Sequence, residues 1–157
     1  MFDKLKLYSR ILGEGQPLLI VHGLFGMSDN WQSLAKRYAD YFEVHLIDQR
    51  NHGRSPHADE FSYLHLSNDL HQYIIDNQLN DVIIIGHSLG GKTAMQFAVS
   101  YPELLSKLII VDISPRFYPI HHDKIIEGLK MLDFSTLNSR SHADTILSKY
   151  IEDTDVR

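Results

Sequence analysis

The sequence predicts an α/β fold, a mostly parallel β-sheet with helices on both faces. Three observations carry that expectation. Short apolar runs alternate with amphipathic stretches of helical period as far as Pro115. Successive runs end in Gly, His or Asp at their carboxyl side, where function gathers in parallel sheets. Beyond Pro115 the alternation stops, and two amphipathic helices follow with no strand between them.

"KLKLYSRIL", Lys4 to Leu12, alternates apolar and polar residues as a half-buried strand does. "GEG" then turns the chain. "PLLIVHG", Pro17 to Gly23, is a continuous apolar run, the signature of a strand buried on both faces. Ser28, Asp29 and Asn30 offer N-caps to a helix that places Trp31, Leu34, Ala35 and Tyr38 on one face. "FEVHLID", Phe42 to Asp48, is the next strand, and "QRNHGRSPH" its loop. A second helix starts near Ser62, with Tyr63, Leu66, Leu70, Tyr73 and Ile74 on its apolar stripe. The strand Val82 to Ile85 precedes a helix from Leu89 to Tyr101, which Pro102 stops. "LSKLIIVDISP", Leu105 to Pro115, is a further strand ended by proline. "HHDKIIEGLKMLD", His121 to Asp133, and "SHADTILSKYI", Ser141 to Ile151, read as the two late helices. The expected organisation is a core over residues 1–114 and a helical cap over 115–157.

Composition narrows the function classes. A chain of 157 residues that is 43% hydrophobic has the size and content for a packed core. The net charge of −5 argues against nucleic acid or an anionic membrane as partner. There are no cysteines, which excludes disulfides and thiolate chemistry and fits a cytoplasmic protein. No apolar run approaches the roughly 20 residues that span a bilayer.

The segment "IIIGHSLGGKTA" sets Ser88 between Gly86 and Gly90 where a strand becomes a helix. Such a tight turn lifts a serine clear of the sheet, and its neighbours two residues away pack too closely for a side chain. The turn also aims the N–H of Leu89 at the reaction centre, beside the positive end of a helix. The pattern is that of a nucleophile. The strand-end sequence "HGLFG", His22 to Gly26, suits a second oxyanion donor. The N–H of Leu24 is the choice and that of Phe25 the alternative. Both side chains then line an acyl pocket.

"VHGLFG", "DQRNHGRS", "GHSLGGK" and "VDISP" occur in the order and at the spacings of the α/β-hydrolase fold. The chain most resembles the YbfF-type bacterial esterases. The resemblance implies a small two-helix cap and hydrolysis of acyl esters and acyl-CoA thioesters. It also implies that Asp48 and Arg50 tie down a structural loop and that His52 is not catalytic. Asp112, at the end of the strand after the nucleophile's helix, is the triad acid on this resemblance. Many relatives carry the acid one strand later.

The base is the missing member. Family order is Ser, then acid, then His after the last strand. The ten histidines are at 22, 45, 52, 57, 65, 71, 87, 121, 122 and 142, and none stands there. Two strands and two helices of the usual fold are absent as well. The expectation is therefore the N-terminal part of a serine hydrolase, with nucleophile Ser88 and acid Asp112. Its oxyanion donors are Leu24 and Leu89, and Phe25, Phe117 and Tyr118 form an apolar substrate pocket. A complementing C-terminal segment supplies the histidine, and no metal or organic cofactor is needed. The competing reading is a non-catalytic binder of acyl ligands or partners on the same scaffold.

Overall fold

The structure, a computed structural model, describes residues 5–118 and 123–154. Lys4, His121 and His122, which the sequence reading assigned to elements, lie outside the described residues. The chain divides into two compact units, Met1–Pro115 and Arg116–Arg157.

Among the described residues, five strands and three α-helices build the first unit. They run β1 (Ser9–Leu12), β2 (Pro17–Val21), α1 (Gln32–Tyr38), β3 (Glu43–Ile47), α2 (Tyr63–Asp76), β4 (Val82–His87), α3 (Leu89–Ser100) and β5 (Leu105–Val111). The sheet order is β1-β3-β2-β4-β5. β1 pairs antiparallel with β3, and the other pairs are parallel. The central position falls to the continuous apolar runs. In β2, Leu18 to Val21 are buried, and in β4, Val82 to Gly86. A strand flanked by strands and covered on both faces has no place for alternating polar residues.

Each face of the sheet has its own core. Leu19, Val21, Ile47, Val82 and Ile84 pack with Leu70, Tyr73 and Ile74 of α2 and with Ala94 and Phe97 of α3. Leu18, Ile20, Val44, Leu46, Ile83 and Ile85 pack with Ala35 of α1 and with Trp31 and Tyr38. Side chains alternate across a strand, so neighbouring residues of β2 enter different cores. The expected sheet with helices on both faces is the observed one.

Several boundaries move, each for a local reason. β1 starts at Ser9 because Tyr8 spends its backbone groups on the loop after β3. Its N–H donates to Ser55 Oγ at 2.8 Å, and its carbonyl accepts from Asp48 N at 3.0 Å. The first helix opens with a 3-10 turn over Ser28–Trp31. β5 stops at Val111, since Asp112 adopts φ 54°, a left-handed conformation that no ladder accommodates. Tyr63 leaves the stripe of α2 and is 44% exposed, while Ser62 caps that helix through His65 N. Among the described residues β5 has a strand neighbour on one side only, and Ile109 and Val111 on one of its faces are exposed.

In the second unit, α4 (Asp123–Lys130) and α5 (Arg140–Leu147) replace the longer expected helices. The first ends at Lys130, and Asp133 beyond it holds the following turn. Its Oδ1 accepts from Ser135 N and Oγ, and its carbonyl from Thr136 N and Leu137 N. α5 begins at a Ser139 cap that accepts from His142 N at 3.1 Å. Gly128 of α4 packs against Leu147 and Tyr150. Among the described residues no helix is long and apolar enough to cross a membrane.

Candidate active site

Ser88 lies between β4 and α3 with φ 50° and ψ −113°, a backbone state that a non-glycine residue adopts only under constraint. The constraint comes from its neighbours. A Cβ on Gly86 would strike the Gly90 carbonyl, and one on Gly90 would strike the carbonyls of Val21 and His22. The amide of Ser88 donates to the Val111 carbonyl at 3.1 Å, tying the turn to β5. Ser88 is partly exposed, and among the described residues its Oγ has no hydrogen-bond partner.

The loop after β2 faces this turn. Gly26 N donates to Gly23 O at 3.0 Å, closing a tight turn over Leu24 and Phe25. Phe25 sits at φ 62°, so the loop carries its own strained residue. A Cβ on Gly23 would come within 3.3 Å of Ser88 Cβ, so the two turns are in close contact. The N–H groups of Leu24 and Leu89 make no hydrogen bond among the described residues.

Asp112 follows β5, beside the elbow, and its side chain is 85% exposed. His87 Nε2 lies 3.8 Å from its Oδ2. That ring packs against Gly23 and Trp31, and it is not bonded to Ser88.

A profile of the α/β hydrolase fold family matches residues 16–140, most of the chain. The chain belongs to the α/β-hydrolase fold family. It is 35% identical over 153 residues to the sn-1-specific diacylglycerol lipase ABHD11 of Danio rerio, covering 92% of this chain and 48% of that protein. It is 31% identical over 141 residues to Esterase YbfF of Escherichia coli, covering 89% and 56%. Among solved structures, a marine microorganism esterase superposes with a TM-score of 0.91 at 49% identity, covering 98% of this chain and 61% of that one. The chain spans about half the length of the curated relatives it matches.

In this α/β-hydrolase chain the sequence-predicted residues fall into two groups. Ser88, Leu89, Leu24, Phe25 and Asp112 meet at the carboxyl ends of β2, β4 and β5. Phe117 and Tyr118 belong to the second unit, where Phe117 is 88% exposed and the Arg116 guanidinium lies 4.8 Å over the Tyr118 ring. A pocket beside the loop after β2 is lined by Leu24, Phe25, Met27, Asn51, His52 and Phe61, with Gly26 and Gly53. Of these only Leu24 and Phe25 were legible in advance. His52 reaches it with Nδ1 turned back to the Arg50 carbonyl at 2.9 Å. Phe61 gives no local signal, since it arrives from the loop just before the Ser62 cap of α2.

The loop after β3 is held as the motif implied. Asp48 Oδ1 accepts from Ser28 N at 2.5 Å and Oδ2 from Arg54 N at 2.9 Å. His22 is held beside it. Its Nδ1–H donates to Gly23 O at 2.7 Å, and Nε2 accepts from Gln49 N at 3.1 Å. That pattern needs a neutral ring, and burial lowers the pKa of His22 accordingly.

Proposed function

We propose that these residues carry the nucleophile, oxyanion hole and acid of a serine hydrolase that cleaves carboxylic esters or acyl thioesters. The observation that carries the reading is Ser88, held at φ 50° between two glycines that backbone contacts exclude from substitution. Ser88 Oγ attacks the acyl carbonyl, and its proton passes to a histidine. The N–H groups of Leu89 and Leu24 hold the oxyanion, and collapse of the intermediate expels the alcohol or thiol on receipt of that proton. Water then cleaves the acyl-enzyme by the reverse relay. Asp112 orients the histidine, which comes from outside these residues. The ester- and lipase-named relatives support an acyl substrate. Acyl-CoA thioesters are the alternative substrate class, and the place of work is cytoplasmic.

The pocket of Leu24, Phe25, Met27 and Phe61 takes the acyl or alcohol arm. Residues 1–114 act as the hydrolase core and 115–157 as a helical cap segment, which carries Phe117 and Tyr118 as candidate substrate contacts. A second reading, a non-catalytic binder, draws on the lack of any histidine bonded to Ser88 among the described residues. A fluorophosphonate probe on the full-length protein separates the two. Labelling that Ser88→Ala abolishes supports the hydrolase, and esterase turnover should fall by several orders of magnitude in the same variant. Turnover that survives Ser88→Ala sinks it. Supplementing residues 1–157 with a histidine-bearing C-terminal segment should restore activity that these residues lack alone.

A further inference from the structure

The two oxyanion donors ride on different elements. Leu89 N–H belongs to the first turn of α3, and Leu24 N–H to the loop after β2. They act together only if both reach one oxygen at about 2.7–3.1 Å. The β2–β4 ladder sets their spacing as far as Val21, which stands opposite Gly86. Past that point the His22–Gly23 peptide has no ladder partner. Something else must orient it.

That place is taken by Gln49, a fully buried residue just beyond β3. Its backbone N–H donates to His22 Nε2 at 3.1 Å, and its side-chain Nε2 donates to the His22 carbonyl at 2.8 Å. Its Oε1 accepts from Thr93 Oγ1 at 2.9 Å, and Thr93 is a buried residue of α3 five positions after the nucleophile. The carbonyl that Gln49 holds is also one that Gly90 packs against. One planar amide thus grips the oxyanion loop with its donor end and the nucleophile helix with its acceptor end.

We propose that Gln49 is a positioning residue that aligns the two halves of the oxyanion hole. This rests on the reading of Ser88 as nucleophile and of Leu24 and Leu89 as donors. The amide is the chemistry the position requires. Glutamate keeps the acceptor for Thr93 but loses the donor to His22, and methionine fills the same volume with neither. A small misplacement of a transition-state donor is costly in rate and nearly silent in substrate binding.

The test uses the full-length protein with p-nitrophenyl butyrate as substrate and an alkyl trifluoromethyl ketone as transition-state mimic. Gln49→Met and Gln49→Glu should each lower kcat by about 30-fold, while KM shifts by less than about threefold. Affinity for the ketone should fall in step with kcat/KM. Thr93→Val should lower kcat by about tenfold, and Thr93→Ser, which keeps the hydroxyl, should stay within about twofold of wild type. A role in packing alone would move thermal stability and leave kcat of the folded protein unchanged. A folded Gln49→Met with kcat within about twofold of wild type overturns the proposal. If Gln49→Met does not fold, equal kcat in Thr93→Val and Thr93→Ser overturns it. Ser88→Ala in the same series keeps two failures apart. An active Ser88→Ala removes the serine reading and Gln49's role with it. An inactive Ser88→Ala beside a fully active Gln49→Met removes only the role of Gln49.

Discussion

Arg50 and Asp69 form a buried, two-pronged ion pair, with Nε 2.6 Å from Oδ2 and Nη2 2.8 Å from Oδ1. A third bond runs from Nη1 to the Glu60 carbonyl at 2.6 Å. The pair fastens the loop after β3 to α2, and both side chains are all but excluded from water. Asp69→Asn leaves an uncompensated buried guanidinium. It should destabilise the protein by about 3–5 kcal/mol in urea titrations. Removing both charges, as Arg50→Met with Asp69→Leu, should recover most of that loss.

Gly90→Ala should damage both fold and catalysis. The added methyl meets two backbone carbonyls, Val21 and His22, neither of which is the end of a flexible side chain. Relief requires α3 to move away from β2, which opens the Ser88 turn against the loop after β2. A destabilisation of about 1–3 kcal/mol is expected by calorimetry. A larger proportional loss should appear in kcat than in KM.

Asp112→Asn separates chemistry from structure. The side chain is largely exposed, and asparagine tolerates the left-handed backbone that Asp112 adopts. The melting temperature should therefore stay where it is. Activity of the full-length protein should fall by roughly 10⁴ in kcat, the scale of losing a triad acid. Retention of activity within about tenfold of wild type would transfer the role to a later carboxylate.

Stability should decline as pH falls below about 6.5, the ordinary histidine value. Burial lowers the pKa of His22 and of His45 in the folded protein. His45 is fixed between the Tyr73 hydroxyl and Glu43 Oε1, each at 2.7 Å. Glu43 favours the charged ring, but it is a third exposed, and burial of His45 prevails. The unfolded state thus takes up protons first as the solution is acidified. Stability is fully present above the unfolded pKa and falls as pH drops from there toward the folded one. Urea midpoints measured from pH 8 to pH 5 should show the decline, and His45→Gln should flatten it. A level profile in the parent protein would contradict the assignment.

The turn at Ser88 was legible because its cause is local: two glycines at fixed distance from a serine, after an apolar strand. The two cores were legible for a similar reason, since β2 and the Val82–Ile85 run of β4 are apolar throughout while α2 repeats every three to four residues. Strand ends were not. β5 stops at Asp112 because of a left-handed residue whose identity does not announce that state, and β1 starts late because Tyr8 bonds to Ser55, 47 residues away. Gln49, Phe61 and Thr93 were missed on the same ground. Each matters through a contact made by folding, and only the place of Gln49 directly after Asp48 at a strand end hinted at a role.

The one-sided edge of β5 makes the sheet a graduated scale. Any strand that pairs along Leu105–Val111 can rest only at discrete registers. A slip of one residue turns its side chains to the opposite face. Registers that keep the same face differ by two residues, about 6.6 Å along the strand. A group carried past Asp112 on such a neighbour is thus delivered in coarse steps, each more than twice the length of a hydrogen bond. Only one step serves the carboxylate. The exposed Ile109 and Val111, by choosing which side chains of a neighbour they will bury, are the marks against which that step is read.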